Sequence, residues 1–431
     1  MKLSVLYGKI TLIPVFGIAI CCYGLLSYAL LYPSTGTGTI DRTLYGSLEK
    51  TDIFFLLIIM QILNCFFIIS TPQLYRYFTD VMLSTLLILF SIVIVLQALR
   101  PTPILYSLIN ANICTGIMVF FMTIWLKTRT RLSYFFPAAL FAVFGFYALV
   151  ILKILYFSGK TQHNGIFFFH DITRLSIIFD NPNHLGNMLA FGVVSCFASV
   201  TLTSKRRVTI LLWSILSLLM LGLIQTYSRG AWFGCVVGIF TAVVYLKKYL
   251  QRSKLYISLA ILLAITMLSF LAAPGGHTTV FSRAACALPS SDAAVGHRLE
   301  VWKSAVKMIR DHLSIGVGVG QFGEELDKGY KPASLVNLKY ASAMNNYLTL
   351  AAEAGLPTAL FYILCLVLVC TLASKRLPKE GFGAGINIGM LCGVYSMLIF
   401  AYTTYSLGRV YAIILVWSVL GYLVAERVSH E

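Results

Sequence analysis

Charged residues are scarce in this chain, and acidic residues are the scarcest of them. Only 11% of its 431 residues are charged, with 33 Lys and Arg against 16 Asp and Glu. Hydrophobic residues make up 58%, and the mean hydropathy is +0.84. A soluble domain of this length has too small a core to hide so much apolar surface from water. The composition therefore excludes an ordinary soluble protein and indicates one that is dissolved in a lipid bilayer.

Signatures of other protein classes are also missing. Nine of the ten cysteines fall within apolar stretches and only Cys286 lies outside them, so no disulfide framework is predicted. Cys and His have no spacing typical of zinc, and we predict no metal. No internal repeat is visible, and Glu353 is the only acid clearly inside a predicted span. Because carriers are often built from repeats and paired intramembrane charges, these absences disfavour a lipid or glycan carrier.

Long apolar stretches dominate what is present. Spanning a bilayer takes about 20 apolar residues per helix, and the chain has twelve such stretches. We predict an all-α polytopic membrane protein with transmembrane helices at 10–31, 53–70, 81–98, 104–125, 134–156, 184–203, 208–226, 231–246, 255–273, 345–373, 382–404 and 409–425. Helices 1–9 then occupy 1–273, a long loop containing an amphipathic helix occupies 274–343, and helices 10–12 occupy 344–431.

The distribution of positive charge predicts the orientation of these helices. Seven segments, which recur after every second span, hold 17 of the 33 Lys and Arg and only four acids. They include Lys127, Lys205 to Arg207, and Arg376. Because cytoplasmic loops are enriched in Lys and Arg, these segments and both termini are predicted to be cytoplasmic, and the long loop periplasmic. The net charge of +17 thus reflects a multi-pass protein of the bacterial inner membrane, and we expect no nucleic-acid partner.

An arginine lies at the outer junction of two spans. The segment Gln225-Thr-Tyr-Ser-Arg-Gly-Ala-Trp-Phe-Gly234 joins them with almost no loop, which places Arg229 at the membrane interface. Such a side chain can anchor a helix end by snorkelling. Positive charge is otherwise sparse at the outer helix ends, and small neighbours leave this guanidinium accessible. Since its planar fork matches phosphate oxygens, Arg229 is a candidate phosphate ligand.

A second arginine lies in the long loop, on an amphipathic helix. Apolar residues recur there at spacings of three and four, namely Leu299, Trp302, Val306, Ile309 and Leu313, and predict a helix lying on the membrane or on the bundle. Lys303, Lys307 and Arg310 cluster on its solvated face. Arg298 lies beside the apolar stripe in the predicted first turn, where the helix dipole favours an anion. This position favours a ligand-binding role for Arg298.

Two further segments of the loop carry polar or flexible residues. Ile315-Gly-Val-Gly-Val-Gly-Gln-Phe322 lacks the strand and βαβ unit of a phosphate-binding glycine loop, and we interpret it as a tight turn that lets the backbone pack closely. Asn345 and Asn346 stand at the outer end of the tenth span. Their amides either cap the helix or bind a sugar hydroxyl.

In combination, these motifs resemble the O-antigen ligase and Wzy-type polysaccharide polymerase superfamily. The resemblance rests on Tyr-Ser-Arg-Gly-Ala-Trp, on His-Arg-Leu-Glu-Val-Trp and Gly-Val-Gly in the long loop, and on Asn-Asn-Tyr-Leu-Thr-Leu-Ala-Ala-Glu-Ala-Gly-Leu-Pro. The earlier segment Phe179-Asp-Asn-Pro-Asn-His-Leu-Gly186 is similar to one found in many members. The likeness covers about 179–358, and the twelve-helix topology extends it over the whole chain.

The resemblance implies a glycosyltransferase that works at the periplasmic face without metal, nucleotide or other cofactor. Its donor would be a glycan on undecaprenyl pyrophosphate, and its acceptor, for a ligase, a sugar of the lipid A core. The important arginines of the family map to Arg229 and Arg298, the two already selected by charge placement. Arg174, His184, Met344, Asn345 and Asn346 are the further candidates for substrate binding.

One position departs from the family pattern. Ligases have His followed by Asn, Ser or Gln, nine residues and then Gly-x-x-Gly/Thr/Tyr; Asn345 and Gly355 to Thr358 fit this frame, but the His position is Met344. A thioether cannot accept the proton of an acceptor hydroxyl. Another group then acts as the base, with His297 and Glu300 the candidates, or the reaction depends on leaving-group stabilisation, or the protein is a polymerase or an inactive relative.

Three functions therefore remain in view. An O-antigen ligase comes first, because the frame around Asn345 is retained. A Wzy-type polymerase that joins lipid-linked repeat units uses much the same parts and comes second. A lipid or glycan carrier is the non-enzymatic third. The predicted catalytic residues are Arg229, Arg298 and His297, and membrane lipids are expected partners in each case.

Overall fold

The protein is described by a computed structural model. It covers residues 62–64, 66–67, 70, 84, 87, 104–129, 132–157, 166–169, 172–175, 179, 181–271, 293–336, 338, 340–378, 381–405 and 409–425. Apart from short helical turns between α7 and α8, the helices of this part are α1 (Ile104–Arg129), α2 (Leu132–Phe157), α3 (Pro182–Leu202), α4 (Arg206–Gln225), α5 (Arg229–Leu246), α6 (Arg252–Leu271), α7 (Ala293–Asp311), α8 (Asn346–Ala354), α9 (Leu356–Lys375), α10 (Gly381–Phe400) and α11 (Val410–Val424).

Most of these helices are long and apolar enough to cross a membrane. Within the described ranges, seven segments meet that criterion, in α2, α3, α4, α5, α6, α9 and α10, and shorter apolar segments lie in α1 and α11. The helical, multi-pass character predicted from hydropathy is thus confirmed. The first three of the twelve predicted spans fall outside the described ranges, apart from isolated residues, so the count of twelve stays a prediction.

The predicted tenth span is two helices rather than one. It breaks at Gly355, whose φ of 89° lies in the left-handed region that favours glycine. The following Pro357 stands in the first turn of α9, where its missing N–H costs nothing. The candidate membrane-spanning segment consequently begins at Leu356. Glu353, interpreted from the sequence as lying inside the span, instead belongs to the short helix α8 that precedes it.

A hairpin of two short strands follows α2 and was not predicted. Strand β1 (Ile166–Phe169) pairs antiparallel with β2 (Ile172–Leu175), and Arg174 stands opposite Phe167 in the register. The second strand packs against α3 and α4. The fold is helical, as predicted, and this hairpin is the β element of the described ranges.

Stripes of small residues bring the three central helices together. Glycines recur every four residues along α10, and a Cβ atom added at Gly389 would lie 2.6 Å from the carbonyl oxygen of Ser195 in α3. A second row on α5 contacts an adjoining part of α10, where a Cβ at Gly234 would lie 2.7 Å from the carbonyl oxygen of Ser396. Small residues allow membrane helices to approach to backbone contact. Helix α10 therefore packs at backbone contact against both α3 and α5.

Two basic side chains cap the end of the last helix. Lys127 of α1 donates through Nζ to the carbonyl oxygen of Tyr422 at 2.9 Å, and its ammonium lies 3.6 Å from the centre of the Tyr422 ring. Arg376, which follows α9, donates through Nη1 to the carbonyl oxygen of Val424 at 2.7 Å. The last carbonyls of a helix have no partner within it, and cations are favoured there. These contacts tie α1, α9 and α11 together.

The long loop has a hydrophobic cluster of its own, to which α8 also contributes. Its fully buried members, which we call the loop cluster, are Val301, Ala305, Met308, Phe322, Leu326, Leu335, Ala343 and Ala352. They come from α7, from the short helical turns between α7 and α8, and from α8 itself. The loop is thus folded on its own core and continuous with the end of the bundle at which α5 and α9 begin.

Candidate functional site

The turn that follows α10, residues 401–405, is where the motif segments meet. The main-chain nitrogen of Asn346 donates to the carbonyl oxygen of Ala401 at 2.9 Å. The indole ring of Trp302 in α7 packs edge-on against Tyr402, with ring centres 5.3 Å apart. Gly230 of α5 abuts the side chain of Thr403 so closely that no Cβ atom would fit. The 401–405 turn therefore joins the starts of α5 and α8 to helix α7.

Arg229 is the first residue of α5, and the turn before it is tightly built. Tyr227 is buried and has a φ of 50°, an uncommon conformation for a residue other than glycine. The main-chain nitrogen of Ser228 donates to Oγ1 of Thr226 at 3.3 Å, and the indole of Trp232 donates to the carbonyl oxygen of Leu223 at 3.0 Å. Such strain is typical of functional sites. The main chain that carries the half-buried Arg229 side chain is consequently held in place by these contacts.

Arg298 lies on the predicted loop helix, but further along it than expected. Because α7 begins at Ala293, Arg298 falls in its second turn, where the helix dipole contributes less than in the first. Burial raises the pKa of the Tyr340 phenol, and the half-buried Arg298 side chain nearby acts to lower it. Trp302, one turn later, holds this part of α7 against the 401–405 turn. The helices that carry Arg298 and Arg229 thus both contact the 401–405 turn.

The buried face of α7 differs from the predicted stripe. Val301, Ala305 and Met308 are fully buried in the loop cluster, whereas Val306 and Leu313 of the predicted stripe are exposed. The helix itself is confirmed, and its basic residues are exposed as predicted. The helix carries apolar residues on two faces, and periodicity alone could not choose between them. Glu300, a candidate base, forms a surface ion pair of 2.7 Å with Lys303, and His297 is half-buried.

Met344 and the two asparagines lie where α8 begins. Oδ1 of Asn345 accepts the main-chain N–H groups of Tyr347 at 2.9 Å and Leu348 at 3.1 Å, so this residue is the helix cap, one of its two predicted roles. Met344 just before it has a φ of 53°. Nδ2 of Asn345 and Oδ1 of Asn346 are buried and have no hydrogen-bond partner among the described residues. Buried amides of this kind are expected to bind water or ligand.

The glycine-rich loop packs against the break between α8 and α9. The main-chain nitrogens of Val317 and Gly318 donate to the carbonyl oxygens of Ala352 and Glu353, each at 2.9 Å. A side chain at Gly316, where φ is 64°, would collide with the Glu353 backbone. The interpretation of this segment as a tight packing turn is therefore confirmed.

Sequence reasoning missed the structural role of Glu353. Its carboxylate is buried and accepts the main-chain N–H of Phe322 at 3.3 Å, which fastens the glycine loop to α8. Burial raises the pKa of Glu353 from 4.5 to about 8, although the N–H groups of Gly320 and Phe322 act to lower it. Burial also raises the pKa of the nearby Tyr405 phenol, Glu353 raises it further, and Arg409 lowers it. The signal that the sequence offered for this role was an acidic residue within an alanine-rich apolar segment.

His184 lies behind the turn that carries Arg229. It stands in the first turn of α3, which Asn181 caps, and is 4% exposed with its ring 5.9 Å from that of Tyr411. Two residues later, a Cβ atom at Gly186 would lie 3.2 Å from Cβ of Ser228. Arg174 is placed only by its strand, β2. The segments that contact the 401–405 turn thus carry Arg229, Arg298, Met344, Asn345 and Asn346, whereas His184 lies behind the turn that carries Arg229 and Arg174 lies on the hairpin.

These elements coincide with a known family domain. Residues 215–363, from the middle of α4 to the middle of α9, match the O-antigen ligase family (Wzy_C). The resemblance drawn from the motifs is confirmed. The matched region contains Arg229, Arg298, His297 and Met344, together with the loop cluster, and covers about a third of the chain. No curated protein matches the chain significantly. In the described part of the chain, no group of three or more His, Cys, Asp or Glu side chains is arranged to hold a metal ion.

Proposed function

We propose that the protein is a metal-independent glycosyltransferase of the bacterial inner membrane. It transfers an O-antigen glycan from undecaprenyl pyrophosphate to the lipid A-core oligosaccharide at the periplasmic face, as an O-antigen ligase. The proposal is supported by the packing of α5 and α7, the helices that carry Arg229 and Arg298, against one turn, and by the match of this region to the O-antigen ligase family.

Electrostatic stabilisation of the leaving group is the first part of the mechanism. The acceptor hydroxyl oxygen attacks the anomeric carbon of the donor, and the bond from that carbon to the pyrophosphate oxygen breaks. Negative charge develops on the pyrophosphate. Two guanidinium groups held on rigid helices neutralise this charge, and preorganised charges of this kind commonly supply the largest share of catalysis. One guanidinium group also binds two phosphate oxygens at once, which fixes the orientation of the donor.

Positioning and proton transfer are the second part. Asn345 and Asn346, beside the 401–405 turn, retain unpaired amide atoms suited to hydroxyl groups. The acceptor hydroxyl must lose its proton as the new bond forms. Met344 cannot accept it, and Glu300 is held in a surface ion pair. His297, next to Arg298 on α7, is therefore assigned as the base. Holding both lipid-linked substrates in one membrane adds proximity.

A Wzy-type polymerase is the second candidate, and the methionine at position 344 favours it. Ligases have a histidine there, so its loss fits a relative that transfers to a different acceptor. The lipopolysaccharide of a deletion strain separates the two. Loss of a ligase leaves bare core and accumulated lipid-linked polymer. Loss of a polymerase leaves core carrying a single repeat unit, and an unchanged pattern would contradict both.

The proposed orientation has its own test. The long loop already contains Cys286, and a cysteine at Ser291 adds a second reporter in the same loop. A membrane-impermeant thiol reagent should label Ser291→Cys in cells whose outer membrane alone is permeable. Labelling that requires permeabilisation of the inner membrane would place the loop in the cytoplasm and overturn the orientation.

A further inference from the structure

Helix α7 carries two apolar faces, and the loop cluster covers one of them. Met308 and its neighbours point into the loop cluster. The second face carries the predicted stripe, in which Trp302, Val306 and Leu313 share one side of the helix. Leu313 follows the last residue of α7, where the His312 N–H still donates to the carbonyl oxygen of Met308 at 2.9 Å. Val306 is 39% and Leu313 52% exposed, so this part of the stripe is open to its surroundings.

The stripe faces the end of the bundle. At its beginning, the indole ring of Trp302 packs against Tyr402 in the turn that follows α10. On another side of the helix, about 140° away from Trp302 around its axis, the ammonium group of Lys307 lies 5.5 Å from the centre of the Tyr330 ring. Tyr330 belongs to the short helical turns of the long loop. Helix α7 therefore turns its stripe toward the bundle and Lys307 toward the rest of the loop.

The far end of the stripe reaches the start of a candidate membrane span. The carbonyl oxygen of Leu313 accepts the main-chain N–H of Leu356 at 3.0 Å, and Leu356 is the first residue of the candidate span in α9. One turn further along α9, about 6 Å by helical rise, the side chain of Leu360 is 57% exposed. Ile315, two residues after Leu313, is 60% exposed. These apolar side chains thus stand where α9 enters the bilayer.

We propose that the phospholipid bilayer covers this end of the stripe, with Leu313 and Ile315 inserted among the acyl chains of the leaflet in which α9 begins. Their removal from water is favourable, and they continue the exposed apolar surface that α9 presents at Leu360. Arg310, exposed and about 60° from Leu313 around the helix axis, reaches the lipid phosphates while its stem lies along the apolar surface. The long loop is then attached to the bundle through Trp302 and to the membrane through Leu313.

Photo-crosslinking tests this contact in the full chain. The amino acid p-benzoyl-phenylalanine, which on illumination bonds covalently to nearby C–H groups, replaces one residue at a time in protein reconstituted into phosphatidylcholine nanodiscs. Mass spectrometry should detect lipid adducts from positions Leu313 and Ile315, as from Leu360 on α9. Lys307, which lies about 120° from Leu313 around the helix axis, should give no lipid adduct.

A matched pair of substitutions adds a second measurement. Leu313→Asp should abolish the lipid adducts formed from position Ile315, because a carboxylate is costly to place in hydrocarbon. Lys307→Asp introduces the same side chain on the side of Tyr330 and should leave those adducts unchanged. Phosphatidylcholine has no net charge, so repulsion between the new carboxylates and an anionic surface does not contribute.

Three results would overturn the assignment of the stripe to the bilayer. They are equal yields of lipid adduct from Leu313 and Lys307, an equal loss of adducts in the two Asp variants, and crosslinks from Leu313 to a second copy of the chain in place of lipid. The assignment requires only that α9 spans the membrane. It stands or falls independently of glycan transfer.

Discussion

The main-chain nitrogen of Asn346 is hydrogen-bonded at 2.9 Å to the carbonyl oxygen of Ala401. This bond fixes the start of α8 to the end of α10, and α10 packs closely against α3 and α5. The segment that carries Met344 is therefore attached to a tightly packed part of the bundle. A site built on such elements is held more precisely than one built on loops alone.

Arg229 and Arg298 are predicted to bind the donor pyrophosphate. Replacing either with Ala should lower glycan transfer by about 10²–10³-fold or more, as expected for the loss of a preorganised charge. Replacement with Lys should rescue poorly, because an ammonium lacks the bidentate fork. Transfer is measured with purified protein and lipid-linked donor.

Two exposed arginines provide controls for these variants. Arg310 lies on the same helix as Arg298, and Arg252 begins the helix after α5. Arg310→Ala and Arg252→Ala should transfer at the wild-type rate. If Arg229→Ala and Arg298→Ala do so too, these arginines only anchor helix ends.

His297 is predicted to take the role that Met344 cannot fill. His297→Ala should reduce transfer about 10²-fold or more, within the usual range for losing acid–base help, and His312→Ala on the exposed end of the loop helix should not. Met344→His should keep or raise activity, since histidine tolerates the left-handed conformation found there. Near wild-type turnover in His297→Ala would show that leaving-group stabilisation suffices.

Glu353 is predicted to make stability depend on pH. Its pKa is about 8 in the folded protein against an ordinary 4.5, so the native state retains a proton that the unfolded chain releases. The contribution is fully present below about pH 4.5 and is lost as the pH rises through about 8. The melting temperature of the wild type should therefore fall across this range, as measured by thermal denaturation in detergent.

The control for this prediction is an exposed acid in the same loop. Glu353→Gln should flatten the fall in melting temperature, because its amide does not titrate. Glu324→Gln, on an exposed side chain, should leave it unchanged. An identical pH dependence in the wild type and in Glu353→Gln would show that another group is responsible.

The close contact between α10 and α3 should be sensitive to a single methyl group. Gly389→Ala places Cβ 2.6 Å from the Ser195 carbonyl oxygen and should destabilise the protein by about 1–3 kcal/mol, the usual cost of overpacking. Gly383→Ala, on the same helix, meets nothing within 4 Å and should be neutral or slightly stabilising. Chemical denaturation in mixed micelles measures both, and equal effects would contradict the proposed packing.

Hydropathy was sufficient for the apolar helices of the described ranges, whereas the role of the two arginines selected by charge placement stays a prediction. Other features depended on tertiary context. The helix breaks at Gly355, where the glycine loop packs against the chain. The buried face of α7 contains Val301 and Met308 because these residues pack into the loop cluster, which the apolar pattern alone did not reveal. Glu353 was interpreted as an acid inside a span, because the sequence does not show that main-chain N–H groups converge on it. The hairpin that carries Arg174 left no signal that we recognised.

The cap formed by Lys127 and Arg376 has a consequence for experiments on membrane insertion. Both belong to the positive segments that predict orientation, yet both are buried and hold the carbonyl end of α11. Removing either would expose unpaired carbonyls as well as altering the charge that the insertion machinery reads. A loss of correct assembly could then be mistaken for an inverted topology. Lys205, Arg206 and Arg207 are exposed, so their removal should report on orientation alone.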